Sequence, residues 1–597
     1  MKEWRLLPKI EPNEELMKLG LNPLLLQIML HRGFTTVNSI NNFLNFKLDE
    51  NLVLAISEED KNGFYNPFIF KDMEEAVKLI ITHIKRRDLI IVYGDYDADG
   101  VTSAVILYET LRLLQAKVEV YLPDRVSEGY GLNKMAINQI AQAGAKLVVT
   151  VDTGIRSKEE VAYAQSLGLD VIITDHHVLP EKLTELPACL IINPADTRNN
   201  YPCPFLAGVG VSYKLISALL IKSKLSPKQK QLLADKALDL VALGTIADMV
   251  SLLDENRLLV KKGLEIMNRN QRLGLNQLLF SAGINTAKDL EAWNIGWQIA
   301  PRLNAASRLS HANTAFSLLT TKDKEEAREL AEELNRRNSS RQEITKEIMS
   351  QVEEKINQDN VPEIIIGVCD DDQAWNEGVI GLVAGKIAEK YYRPTLIITR
   401  LVEVAEFDSK KKKLIPKQVS FKGSGRSIPE LNLIKTIEEN AIYLDKYGGH
   451  PMACGFSLVS EEKLKLFIDR ITRLVKEKLA NVNLVPKIDI EAVLKKTDIK
   501  LDFAQYIEKL APFGQNNSQP KFVSYNFKVE DIIVMGMENQ HIKLRLDGFW
   551  AISFGGAKKY EDIKVGDRVD LVYYLEINKF NGHEGIQLKI IDLKLRQ

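Results

Sequence analysis

The stretch LIIVYGDYDADG, residues 89–100, decides how the rest of the chain is read. Its first half is apolar and β-branched without alternation, the signature of a strand buried on both faces. Its second half sets Asp95, Asp97 and Asp99 at every other position just before a helical pattern, Thr102–Leu114. The same syntax recurs outward from it in VEVYLPD (118–124), LVVTVD (147–152), DVIITD (170–175) and CLIINP (189–194). Helical stretches Lys134–Ala143 and Lys158–Leu167 lie between them. Buried strands alternating with helices predict an α/β unit with a parallel sheet covered on both faces. Ligands of such sheets sit beyond the carboxyl ends of the strands.

That edge is where the polar residues gather. The first strand delivers Asp95, Asp97 and Asp99, the third Asp152, and the fourth Asp175, His176 and His177; a later segment, ALGTIADMV, adds Asp248. Singly these are ordinary residues, because Asp serves in turns and helix caps and a His often packs in a core. Their conjunction on successive strand ends is not ordinary. Carboxylates packed this closely repel one another, and divalent cations relieve the conflict. Oxygen ligands with one or two imidazoles suit Mn2+ or Mg2+ better than zinc. A carboxylate shared by two cations about 3.5–4 Å apart is the arrangement of two-metal phosphoryl chemistry.

The remaining chain changes texture several times. Residues 1–75 read as a small helical, partly irregular region with an apolar helix near Leu24–Leu30. The first α/β unit and its helical continuation fill 76–321, and one amphipathic connecting helix is predicted over 322–358, with Ile344, Ile348, Val352 and Ile356 at four-residue spacing. A second α/β unit occupies 359–480; its charged insertion at 401–418, with Lys410–Lys413, reads as a solvated loop. Roughly five short strands separated by Gly, Asn and Asp turns predict a small β-barrel over 481–597.

Composition narrows the function classes. The 597 residues carry 79 Lys and Arg against 80 Asp and Glu, a formal net of -1, so bulk charge does not draw this chain onto a polyanion. Any such binding is local or metal-borne. Cys189, Cys203, Cys369 and Cys454 have neither zinc spacing nor a disulfide framework, which suits a reducing cytosol. No apolar run is long enough for a membrane span. A cytoplasmic protein is expected.

DYDADG, VDTG, DHH and the Asp of GTIADM resemble, in order and strand context, the DHH phosphoesterase superfamily. IAPRLNAASRL (299–309), WNEGVIGLVAGK (375–386), SGRS (424–427), GGHPMACGF (448–456) and APFGQNNSQP (511–520) are similar to its RecJ branch, the bacterial single-stranded-DNA exonucleases. The resemblance implies a parallel-sheet DHH domain, a long connecting helix, a second α/β domain of the DHHA1 type and a C-terminal OB-like β-barrel. It implies Asp97, Asp99, Asp152, His176 and Asp248 as ligands of two divalent cations, Mn2+ or Mg2+, with Asp152 the bridge. Asp95, as ligand or partner of ligands, and His177, beside the reacting phosphate, are implied as catalytic groups. Substrate contacts fall on Arg125, Tyr130, Arg302, Asn304, Arg308, Ser424, Arg426 and His450. Tyr93 stands where many small superfamily members carry a histidine, which favours the long nuclease branch over the pyrophosphatase-like one.

The activity so implied is 5′→3′ hydrolysis of single-stranded DNA to mononucleotides in recombination and repair. The chain would act as a monomer gripping the 5′ end, with a helicase and a single-stranded-DNA-binding protein as candidate partners. Phe549, Trp550 and Phe554 offer stacking surfaces on the barrel, with at least one of the first two expected in its core. A phosphodiesterase of short oligonucleotides or cyclic dinucleotides is the alternative, disfavoured by the barrel and the connecting helix. A non-catalytic replication scaffold is disfavoured by the intact ligand set.

Overall fold

A strand buried on both faces needs a cover on each, and the first sheet shows how these strands obtain it. The computed structural model describes residues 2–44, 64–125, 127–269, 272–285, 289–309, 311–370, 373–408, 413–580 and 583–596. After a short N-terminal strand, β1 (Glu3–Leu6), come β2 (Leu89–Gly94), β3 (Lys117–Tyr121), β4 (Ala145–Val151), β5 (Asp170–Thr174) and β6 (Leu190–Ile192). They lie in the order β3-β2-β4-β5-β6 with every pairing parallel. The pleat sends alternate residues of β2 to opposite sides. Ile90 and Val92 enter a large helical core, whereas Leu89, Ile91 and Tyr93 enter a smaller one. The large core is built on the helices Ala98–Leu113, Gly208–Lys222 and Pro227–Ala247, the last opened by a Ser226/Gln229 capping box with Pro227 in its first turn.

The predicted connecting helix spans Lys324–Glu354, capped by Asp323. It does more than connect. Ala327, Ala331 and Leu334 pack into the large core of the first unit, while Ile348 and Val352 pack against the second. That second sheet comprises β7 (Ile365–Val368), β8 (Thr395–Asp408), β9 (Lys413–Arg426), β10 (Lys446–His450) and β11 (Ala453–Leu458), ordered β10-β11-β9-β8-β7. Only β7 and β8 run parallel. The charged insertion differs from the loop expected of it: β8 and β9 continue through its flanks as one long antiparallel pair, and residues 410–412 lie outside the described residues.

The C-terminal barrel has six strands where about five short ones were expected. They are β13 (Ala492–Val493), β14 (Lys521–Met535), β15 (His541–Leu546), β16 (Phe549–Ser553), β17 (Arg568–Phe580) and β18 (His583–Leu595), preceded by β12 (Lys487–Ile490). Pairing of β14 with both β15 and β17 closes the sheet. Asn526, at φ 63° inside β14, marks a register shift between Ser524 and Phe527, so a residue that reads as a turn is a bulge in a continuing strand. The N-terminal region does not stand apart. β1 pairs in parallel with β12, and Leu25, Ile28, Met29, Ile40 and Phe43 complete the barrel's core. Among the described residues no helix is long and apolar enough to cross a membrane.

The helix Pro227–Ala247, which presents Asp248 at its end, is held by the helix Asp254–Arg269 crossing it at Gly263. A Cβ on Gly263 would stand 2.1 Å from the Leu238 carbonyl oxygen and 2.5 Å from the Ala242 Cβ. Gly263→Ala is therefore expected to cost about 1–3 kcal/mol of stability through overpacking. Thermal denaturation reads this directly, and an unchanged midpoint would contradict so close a crossing.

Candidate metal centre

The loop after β2 folds back so tightly that a Cβ on Gly100 would lie 2.6 Å from the Asp95 carbonyl oxygen. Asp97 caps the following helix, its Oδ1 accepting from the amides of Asp99 (2.9 Å) and Gly100 (3.0 Å). Asp99 is aimed by another helix: its Oδ2 accepts from the Gly208 amide at 2.7 Å and its Oδ1 from Val209 at 2.9 Å. Asp152 leaves β4 at φ 62°, in the left-handed region, and reaches so close to Gly208 that a Cβ there would meet its Oδ1 at 2.6 Å. At the end of β5, Asp175 organises both histidines. Its Oδ1 accepts from the amides of His176 (2.7 Å) and His177 (3.1 Å) and lies 2.8 Å from His177 Nδ1, while its Oδ2 accepts from Ile155.

These elements converge. His176 Nε2 lies 3.1 Å from Asp152 Oδ1, 3.6 Å from Asp248 Oδ2 and 4.0 Å from Asp99 Oδ2. Three ligand sets overlap: Asp152, His176 and His177; Asp99, His176 and Asp248; Asp95, Asp97 and Asp152, each with its ligand atoms within 4.8 Å of one another. Asp152 and His176 each belong to two sets.

Electrostatics mark the cluster as incomplete on its own. Burial, reinforced by neighbouring carboxylates, pushes Asp95, Asp152 and Asp248 well above the usual carboxylate range and Asp99 up to about 7. Burial and the charge of His177 push His176 down to about 4, a neutral imidazole able to donate a lone pair. Burial also works against a charged His177, but Asp175 outweighs it and raises that group. Asp95 Oδ1, Asp152 Oδ1 and His176 Nε2 are buried without a hydrogen-bond partner, the short approach of the last two lacking hydrogen-bond geometry. Buried lone pairs aimed at one another fit divalent cations.

Basic groups face the cluster from both α/β units. Arg125 lies over the Tyr96 ring at 4.8 Å, and the half-exposed Tyr130 bonds His177 Nδ1 through its hydroxyl at 3.0 Å. Arg308 donates across to the Gly378 carbonyl at 2.7 Å, and its Nε is buried without a partner. Burial, with the charges of Arg125, Arg341 and Arg426 added, lowers Arg308 to about 9. Ser424 and Arg426 flank Gly381 on the facing helix Glu377–Tyr391, where a Cβ would meet their side chains at 3.0 and 3.4 Å. His450 is exposed at the end of β10, opposite Ala453.

Two expected substrate residues are engaged elsewhere. Asn304 Oδ1 accepts from the Ala98 amide at 2.7 Å, so it shapes the carboxylate loop from inside. Arg302 donates to the Gln298 carbonyl (2.6 Å) and to Asn335 Oδ1 (2.9 Å).

Sequence comparison agrees with this architecture. The DHH family, N-terminal domain, matches residues 89–245; the DHHA1 domain, 361–477; and the RecJ OB domain, 490–592. The single-stranded-DNA-specific exonuclease RecJ of Bacillus subtilis is 36% identical over 579 residues, covering 96% of this chain and 68% of that protein. The Escherichia coli protein of the same name is 33% identical over 544 residues, 87% of this chain and 89% of its own. The chain belongs to the RecJ family. Its fold matches the crystal structure of Thermus thermophilus RecJ in complex with Mn2+ with a TM-score of 0.78 at 26% identity, covering 100% of this chain and 80% of that one.

Within this RecJ-family fold, Tyr93 is a core residue. It is fully buried, stacks on Tyr121 and donates to the Gly131 carbonyl at 3.0 Å. On the barrel, Phe549 packs toward the core, Trp550 lies 4.3 Å from Lys543 Nζ, and Phe554 is exposed. The residues not assigned from sequence as ligands or substrate contacts are those that hold the others: Asp175, Gly208 and Val209. For Asp175 the signal existed in its place before two histidines; backbone donors and acceptors carry none. Asp175→Asn removes the charge that keeps His177 raised, so the His177 pKa is expected to fall. An imidazole NMR titration of metal-free protein reads it, and an unmoved His177 would contradict the assigned contact.

Proposed function

We propose that the protein is a metal-dependent exonuclease that hydrolyses single-stranded DNA from its 5′ end, releasing mononucleotides in recombination and repair. The observation that carries the reading is the overlap of three ligand sets through Asp152 and His176 at the carboxyl edge of the parallel sheet, in a chain of the RecJ family. Asp97, Asp99, Asp152, His176 and Asp248 would hold two divalent cations, Mn2+ or Mg2+, with Asp152 between them and Asp95 as ligand or support. Such cations, when bound, supply a nucleophile at neutral pH and offset charge on the phosphate oxygens.

The chain's own residues do the rest. His177, raised by Asp175 and in contact with the Tyr130 hydroxyl, would donate toward the reacting phosphate. Arg125, Arg308 and Arg426, with Ser424 and His450, form the anionic grip for the 5′ end. Arg guanidiniums fork onto phosphate oxygens. Asn304 fixes the loop that presents Asp95, Asp97 and Asp99, and Arg302 ties its helix to the connecting helix. Trp550 and Phe554 offer the barrel's stacking surface for bases further along the strand. The chain divides into an N-terminal region 1–75 and domains at 76–321, 359–480 and 481–597, with the segment 322–358 that carries the helix Lys324–Glu354 between the first two domains. The protein works as a cytoplasmic monomer on strands delivered by a helicase and a single-stranded-DNA-binding protein.

Asp152→Ala should abolish cleavage of a 5′-phosphorylated single strand, a loss exceeding the roughly 10–100-fold that removal of an outer partner costs. DNA binding, read by fluorescence anisotropy, should persist. Undiminished turnover would remove Asp152 from the site.

A further inference from the structure

The helix Lys324–Glu354 turns one stripe inward, from Ala327 to Val352 in alternating steps of four and three residues. The ends of the stripe are apolar. Ala327, Ala331 and Leu334 pack into the core of the first α/β unit, and Ile348 and Val352 pack against the second. Its middle is polar: Asn338, Arg341 and Thr345 take the central places, where the helix passes from one unit to the other. Arg341 stands seven residues from both Leu334 and Ile348, so it lies on their face of the helix. A seam that only joined two units would gain nothing from a cation at its centre, because an unpaired guanidinium is costly to desolvate.

The three polar residues are satisfied unequally. Thr345 donates to the Arg341 carbonyl at 2.6 Å. Asn338 is buried with its Oδ1 unpartnered. Arg341 Nε is buried without a partner, and among the described residues no carboxylate or carbonyl accepts from its guanidinium. The arginines beside it are already engaged. On the helix Ala300–Leu309, Arg302 donates to the Gln298 carbonyl (2.6 Å) and Asn335 Oδ1 (2.9 Å), and Arg308 to the Gly378 carbonyl (2.7 Å). Burial, with the charge of Arg302 added, lowers Arg341, whose own charge lowers Arg308. Arg308 also feels Asp97, whereas no carboxylate acts on Arg341, which is therefore the member of this group further from the cation site. Like charges gathered without a counter-charge mark a place for a ligand of opposite sign.

We infer that Arg341, on the floor between the two α/β units, is the centre of a second phosphate subsite, which holds a phosphodiester of the strand beyond the one at the cation site. A guanidinium matches the two free oxygens of a phosphodiester with a pair of parallel donors. A strand of several nucleotides engages both places and a released mononucleotide only one, so Arg341 favours substrate over product. The inference rests on the reading of the protein as a nuclease of single strands.

Fluorescence anisotropy of a labelled, 5′-phosphorylated single strand, titrated in chelator at several salt concentrations, tests it. Arg341→Ala is expected to weaken binding about tenfold, the typical worth of a charged hydrogen bond. The slope of log affinity against log salt should become shallower by about 0.7, the loss of one phosphate contact on a single strand. Arg341→Lys keeps the charge and should keep the slope while losing part of the affinity. Arg336→Ala removes an exposed cation from the same helix and should leave the slope as it is. Mn2+ affinity by calorimetry and competition by a mononucleotide should match the parent in every variant. Should Arg341→Ala fail to fold, Arg341→Gln carries the same comparison. A slope that the Arg341 substitution leaves unmoved, or moves no more than Arg336→Ala does, would overturn the inference. A parent protein that does not bind the strand would instead overturn the nuclease reading itself.

Discussion

Mutual repulsion among carboxylates that cannot escape into water is the constraint on which the rest of this structure depends. Asp95, Asp99 and Asp152 are buried at the ends of β2 and β4, with Asp248 brought against them by a helix end. Like charges this close in a low dielectric either take up protons or share cations. The protein makes the second outcome available by giving several of these groups fixed directions. Backbone amides hold both oxygens of Asp99, the left-handed turn at Asp152 swings its carboxylate toward Gly208, and His176 is kept neutral. A parallel sheet is well suited to this task, since it delivers successive strand ends to one edge.

Arginines from the first unit, the connecting helix and the second unit answer the carboxylates with opposite charge. The Nε of Arg308 is buried and unused, and the charge of this side chain is felt together with those of Arg125, Arg341 and Arg426. Partly buried guanidiniums gathered in this way beside a carboxylate cluster are what the proposed phosphate grip draws on. The near-zero net charge of the whole chain is therefore a sum of opposed local fields. Bulk charge therefore gives the protein no general attraction to polyanions.

Much of this was legible in the sequence, for physical reasons that differ residue by residue. The sheet was readable because β2, β4 and β5 are apolar on both faces, and the convergence of carboxylates and histidines because each follows a strand or ends a helix with a side chain of unmistakable chemistry. The length of the barrel strands was not. Asn526 reads as a turn, but the bulge there lets β14 run on to Met535. Nor were the supports visible. Asp99 is aimed by amides more than a hundred residues away, Asn304 reaches the Ala98 amide across some two hundred, and Leu252 meets a carbonyl in another domain. A backbone donor has no residue type, so long-range contacts of this kind leave no trace in composition or spacing. Arg302 and Asn304 were read as substrate groups because their chemistry suits one; packing turned Asn304 into the carboxylate loop and Arg302 toward the connecting helix.

The most direct measurement is digestion of a single strand labelled at either end, with Mn2+, with Mg2+ and with chelator. The RecJ-family reading predicts release of the 5′ label as a mononucleotide from the first turnovers, with duplex DNA spared, and the carboxylate cluster predicts that this occurs only when a divalent cation is present. Release beginning at the 3′ end, or digestion that persists in chelator, would contradict a cation-dependent centre that grips the 5′ end.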